Sequence, residues 1–205
     1  MYGELRSYAD SGVVLREYGS RTDPSRDRHT FTTYFSRSPR RFLLDFRKQG
    51  GDQFVVWGDP DAFHTWWKTT GGRYDYPNPN NLPAINGSGA NTSGSVLKIP
   101  TLLYGKAPLQ GDLTYLRDVG SGGFETVDGR RCDRVTATTY GVYGTGHEFN
   151  VHAITVWIDV ESLLIRKIVE EWPPLPGQIS RTTTTFEPQA NPSLDEARFR
   201  FVPPQ

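Results

Sequence analysis

Apolar and polar residues change their period within the first fifteen positions. Met1, Leu5 and Tyr8 stand at i, i+4, i+7 spacing, which predicts the end of a helix over residues 1–10 that stops near Asp10-Ser11-Gly12. From Val13 the period becomes two. Val13 and Leu15 alternate with Val14, Arg16 and Tyr18 in a short strand ending at Gly19, and the polar run 20–28 reads as a loop. Phe31, Thr33 and Phe35 then share one face of a strand over 29–37. Ser38-Pro39-Arg40 turns that strand into 41–48, where Phe42, Leu44 and Phe46 oppose Leu43, Asp45 and Arg47. Gly50-Gly51-Asp52 and Asp59-Pro60-Asp61 punctuate two further strands, 53–58 and the aromatic 62–68.

Residues 76–94 are rich in Pro, Asn, Gly and Ser and too poor in apolar periodicity for a strand. Val96, Leu97, Ile99, Leu102, Leu103 and Tyr104 follow, clustered around Pro100. This pattern predicts one or two helical turns with a buried face. We read 82–104 as a helical insertion lying across the sheet, within a lid segment spanning 76–105. Strand periodicity resumes at 113–119 and 124–127, and Asp128-Gly129 is the strongest two-residue hairpin signal in the chain. Strands over 131–140, 149–159, 163–172 and 179–187 complete the series, with a last edge segment at 199–202; Glu170-Glu171 read as a solvated edge. Roughly ten or eleven strands result. Connections of a few residues cannot supply the crossovers of a parallel sheet, so the expected topology is an antiparallel meander.

A chain of 205 residues is expected to form one domain, 1–205. Lysine plus arginine equal aspartate plus glutamate at 23 each, so no overall field draws it to nucleic acid or an anionic membrane. Its apolar stretches fall short of the about 20 residues a membrane span needs. Cys132 is the single cysteine, which excludes an internal disulfide framework and any multi-cysteine metal site. Met1 runs straight into Tyr2-Gly3-Glu4 without a basic and apolar leader, so two expectations stand: a cytosolic protein, or an exported one trimmed of its signal.

Candidate chemistry is sparse. His147, Glu148 and His152 contain metal-ligating types, but histidines five apart on a strand point to opposite faces, so no metal site is expected. His29 and His64 lack a nearby ligand partner and are expected as surface or hydrogen-bonded strand residues. Asp59 and Asp61, beside Trp57 and Trp66, are the best carboxylate pair for glycoside hydrolysis, although Asp-Pro-Asp is also an ordinary turn. Cys132 lies among Arg130, Arg131 and Arg134, yet in a strand it faces away from Arg131 and is expected to be a small buried residue.

Several segments in order resemble the carrier family of outer-membrane lipoprotein sorting. They are Phe35-Ser36-Arg37-Ser38-Pro39-Arg40-Arg41-Phe42, Val56-Trp57-Gly58-Asp59 with Trp66-Trp67, and Val127-Asp128-Gly129-Arg130-Arg131-Cys132. Val156-Trp157-Ile158-Asp159, Thr184-Thr185-Phe186-Glu187-Pro188 and Phe199-Arg200-Phe201-Val202-Pro203-Pro204 extend the likeness over most of the chain. The resemblance implies a mainly β (α+β) fold: one curved antiparallel sheet forming an unclosed half-barrel, with short helices covering its concave face. It implies export to the periplasm or beyond, no cofactor, and non-enzymatic binding of a lipid, acyl chain or similar hydrophobic ligand by a monomer, with another envelope protein as a further partner. The expected ligand-binding residues are Phe31, Phe35, Phe42, Leu44, Phe46, Trp57, Trp66, Ile99, Leu102 and Leu103. A closed core would need the same aromatics equally. Two other readings stay open, a carbohydrate-active hydrolase using Asp59 and Asp61 and an envelope sensor domain that binds through a sheet edge.

Overall fold

A computed structural model describes residues 1–76, 92–104, 113, 116–142 and 148–204, with position 142 as backbone only. The first meander contains β1 (Ser7–Ser20), β2 (Pro24–Arg37), β3 (Arg40–Arg47), β4 (Gln53–Gly58), β5 (Phe63–Trp67) and β6 (Gly72–Tyr76). The second contains β7 (Leu116–Val127), β8 (Arg130–Val142), β9 (Glu148–Asp159), β10 (Ile165–Glu171) and β11 (Gln178–Phe186). Every pairing is antiparallel, in the order β6-β5-β4-β3-β2-β1-β11-β10-β9-β8-β7, and a short β12 (Gln189–Ala190) also pairs with β1. The edges β6 and β7 do not meet, so the sheet is open. Between them in sequence stands the one described α-helix, α1 (Lys98–Tyr104), entered through a 3-10 turn at Gly94–Leu97.

The sheet has to curl. Ser95, at the start of the helical segment, bonds to Glu170 in β10, and Tyr104 at its end packs its ring 5.8 Å from that of Phe63 in β5. Six strand spacings of about 4.8 Å would separate those strands by about 29 Å on a flat sheet. Residues 95–104 rise only about 15 Å. One buried cluster accordingly gathers side chains from β1 to β5 and β9 to β11 around Val96, Ile99, Leu103 and Tyr104. The opposite, convex face carries two smaller clusters. One is Leu43, Val55, Trp57 and Trp66, with Phe201 of the C-terminal segment against it; the other is Val127, Cys132, Trp157 and Val169.

Local chemistry accounts for most of the elements. Phe31 faces Phe46, Thr33 faces Leu44 and Phe35 faces Phe42 across β2 and β3, so two alternating runs place one set of side chains on the same face. Asp128 and Gly129 both have positive φ, 48° and 76°, the backbone of the primed hairpin turn their sequence predicts. Gly12 lies directly under the Phe31 ring and against the Thr185 carbonyl, leaving no room for a Cβ.

Four expectations need correction. The chain opens with a single 3-10 turn, Tyr2–Glu4, rather than the end of an α-helix, and β1 already begins at Ser7. Tyr8 and Val14 lie on the buried face of a strand 14 residues long, because β2 and β11 with β12 are available on its two sides. The loop expected over 20–28 is short, since Pro24 opens β2 and Ser25 to Arg28 pair with β1. Glu170 is not on a solvated edge: β10 lies between β9 and β11, and Glu170 is 4% exposed. The lid segment 76–105 falls partly outside the described residues, as does His147.

Candidate functional site

The concave wall is built on residue parity. In β2, β3 and β4, Phe31, Phe35, Phe42, Leu44, Phe46, Phe54 and Val56 all point inward, and every one is buried. The Tyr104 ring meets Phe35, Phe42 and Phe63 with centroids at 5.5, 6.1 and 5.8 Å, in tilted or edge contacts that suit aromatic quadrupoles. Of the ten residues named from sequence, Phe31, Phe35, Phe42, Leu44, Phe46, Ile99 and Leu103 come together in this cluster, and Leu102 packs against it half-buried. Trp57 and Trp66 do not join them. Trp57 has the parity of Val55, and Trp66 pairs with Val55 across β4 and β5, so both tryptophans face the convex side. There the Phe201 ring packs on them at 5.2 and 5.3 Å.

Helix α1 occupies the trough, and polar groups grip it at both ends. At its start, the Ser95 amide donates to Thr184 Oγ1 at 3.1 Å and the Ser95 hydroxyl to Glu170 Oε2 at 2.6 Å. Lys98 Nζ stands 3.2 Å from Glu170 Oε1, and His152 Nε2 is equally distant from the same oxygen. Burial opposes a charge on Glu170, but the Lys98 ammonium, His152 and the Ser95 hydroxyl together outweigh it and hold the carboxyl down at about 2. At the other end, Arg37 reaches from the last position of β2. Its guanidinium donates to the carbonyls of Leu5 (2.7 Å), Tyr2 (3.2 Å) and Leu103 (3.0 Å), tying the N-terminal turn and α1 to the sheet. The Arg40 guanidinium also lies over the Tyr104 ring.

Sequence reasoning passed over Arg37, Lys98 and Glu170 as site residues. The only signal for Arg37 was its position beside Ser38-Pro39-Arg40, and an acidic residue on an apolar strand such as Ile165-Arg166-Lys167-Ile168-Val169-Glu170 was the signal for Glu170. His152 stacks on Trp172, centroids 4.5 Å apart, and the two border a cleft of about 650 Å³ that Arg21, Thr138, Pro174 and Arg181 also line. His152 is thus shared between the polar end of the trough and the border of that cleft.

The other candidates resolve into structural roles. Asp59 Oδ1 accepts from the amides of Asp61 and Ala62, both at 2.9 Å, closing the turn between β4 and β5. A surface depression of about 320 Å³ touches Asp59 but not Asp61, so the two carboxylates do not face one cleft. His64 Nδ1 is 2.7 Å from Asp75 Oδ1 and its ring stacks on Trp57 at 5.0 Å, while His29 packs edge-on to Phe46 and receives the Gln49 amide. Cys132 is fully buried, and burial raises its thiol pKa. Strand β7 is a long, exposed edge, but register shifts between Arg117 and Gly120 and between Ser121 and Phe124 break its ladder, and Arg131 covers the Phe124 ring at 4.1 Å. No helix among the described residues is long and apolar enough to cross a membrane.

No family model and no curated protein matches the chain. Solved structures do. The lipoprotein LppX of Mycobacterium tuberculosis is 13% identical, with 94% of this chain and 90% of that one aligned at a TM-score of 0.45. LprF of Mycobacterium bovis is 11% identical over 91% of this chain and 86% of its own, at 0.44. A LolA superfamily protein of Nitrosomonas europaea is 8% identical over 94% and 90%, at 0.35. At these identities each likeness concerns the fold alone.

Proposed function

We propose that the protein is a non-enzymatic, exported carrier that holds an acyl chain or similar apolar ligand against the concave wall, in the space α1 occupies here. One observation carries this reading: an aromatic trough assembled from strands of both meanders is covered by a helix of seven residues, and the polar ties described above grip that helix at its two ends. A cover held at its ends can be lifted as a unit. A chain replacing Val96, Ile99 and Leu103 on the wall would gain about 0.8 kcal/mol for each CH₂ it buries, so a dozen methylenes offset the apolar contacts of the displaced helix. Affinity in this reading comes from burial, and the polar mouth orients the head group.

The resemblance of the Phe35 to Phe42 and Val127 to Cys132 segments to lipoprotein carriers supports the same reading and, with it, a location in the cell envelope. The test is native mass spectrometry of the purified protein, together with titration of a fluorescent long-chain fatty acid. Bound lipid or saturable uptake is expected, stronger in Arg37→Leu, whose helix has lost one of its ties. No uptake by either protein overturns the reading.

A further inference from the structure

The concave wall contains one residue that an apolar trough does not explain. Asp10 sits in the middle of β1 on the same face as Tyr8 and Val14, and it is 4% exposed. The Tyr8 hydroxyl donates to its Oδ2 at 2.7 Å. Its Oδ1 makes no hydrogen bond of full geometry among the described residues; the Thr33 hydroxyl, which faces Asp10 directly across β1 and β2, comes close enough to help hold the charge but likewise reaches no other group. The two under-satisfied oxygens therefore lie side by side, shielded from solvent, on the wall that the N-terminal turn and α1 cover.

Other buried or turn aspartates of this chain have evident structural tasks. Asp159 Oδ1 accepts the amides of Glu161 and Ser162 and its Oδ2 meets Arg166; Asp195 caps the turn at Glu196–Phe199. Asp10 caps nothing, and no cation pairs with it among the described residues. The groups facing it are the phenols of Tyr8 and Tyr2 and the Thr33 hydroxyl and backbone. Burying a carboxylate with an unfilled acceptor is strongly unfavourable, and asparagine or leucine would fit a purely structural position better.

We propose that Asp10, with Thr33 beside it, is a ligand-anchoring site that accepts a hydrogen bond from a donor group, a hydroxyl or an ammonium, carried by an otherwise apolar ligand. This rests on the reading that the wall holds an apolar chain and names the class of chain. A ligand donor would fill Oδ1, and the Thr33 hydroxyl would complete the site as donor or acceptor. A ligand ending in a carboxylate would meet a like charge instead.

Calorimetric titration with 1-dodecanol, dodecylamine and dodecanoate at about pH 8, where all three head groups hold their ordinary charges, tests the anchor. The alcohol and the amine are expected to bind about tenfold or more tightly than dodecanoate, the scale of a hydrogen bond to a charged group. In Asp10→Leu all three should bind within about twofold of one another. Asp10→Asn, close in shape, should lose most of the amine preference and guards against a folding defect in the leucine variant. Equal binding of the three ligands by the natural chain overturns the anchor alone, as does a donor preference that survives in both variants. If none of the three binds, the carrier reading falls and takes the anchor with it.

Discussion

Replacing Lys98 by methionine removes the ammonium from a carboxylate almost wholly shut off from water. Glu170 has 5% of its side chain exposed, and its pKa stands at about 2 against an ordinary 4.5. That difference of two to three units, at about 1.36 kcal/mol each, amounts to on the order of 3 kcal/mol. The folded-state value is depressed, so this stabilisation is fully present above the ordinary value and is lost as pH falls through about 2. At neutral pH the variant loses the Lys98 share of it, the largest of the favourable contributions, while His152 and Ser95 keep theirs. Removing one partner of a buried pair typically costs about 3–5 kcal/mol because the other charge is left unpaired.

Urea unfolding at neutral pH should show a loss of about 3 kcal/mol, and thermal melting a fall of roughly 10 °C for a chain of this length. The double variant Lys98→Met/Glu170→Gln should recover more than half of it, since the amide that replaces the carboxylate is uncharged and Ser95 and His152 remain to bond it. A loss under about 1 kcal/mol, or a double variant no better than the single, refutes the view that this pair anchors the start of α1.

Two further outcomes follow from the same geometry. Arg37→Leu removes three bonds from a charged donor to backbone carbonyls and should cost about 2–3 kcal/mol; hydrogen exchange should quicken across Lys98–Tyr104, and unchanged rates there would exclude Arg37 as a tie on the helix. Asp10→Asn should stabilise the protein at neutral pH by on the order of 3 kcal/mol, because burial lifts the Asp10 carboxyl from 3.8 to about 6 against the opposing Tyr8 hydrogen bond and Thr33. A raised value means that stability is complete below the ordinary pKa and lost as pH rises through about 6. Urea midpoints of the two proteins should thus converge near pH 4 and diverge by pH 7, and parallel curves would contradict the burial argument.

Local signals carried the hairpins. Phe31-Thr32-Thr33-Tyr34-Phe35 and Phe42-Leu43-Leu44-Asp45-Phe46, separated by a short turn, determine their own register, as does the pair of strands around Asp128-Gly129. What escaped sequence reading depends on distant partners. Glu170 looks like half of a solvated acidic pair until Ser95, 75 positions earlier, and His152, 18 positions earlier, are placed beside it. The start of β1 looks helical because Met1, Leu5 and Tyr8 stand at helical spacing, and only pairing of Tyr8 with Phe35 and Ala190 selects the extended form. Trp57 and Trp66 share the aromatic character of the wall but not its parity, a distinction present in the alternation with Phe54 and Val56. Asp10 gave no signal, since a carboxylate next to Ser11-Gly12 reads as a turn residue.

The order of the strands also bears on how the chain reaches this structure. Every ladder on the main path but one joins neighbours in sequence; the exception sets Gly12 against Phe186 and Ser20 against Gln178, bringing together the two ends of the chain. Each meander can zip from its own turns with little loss of loop entropy, whereas the seam between β1 and β11 must close almost the whole polypeptide into a ring. On the entropy of closure, this seam is the step expected to form last in assembling the trough. Until it forms, Tyr8 and Val14 of one half and Phe186 of the other remain uncovered, and the half-built sheet offers its apolar face to other chains.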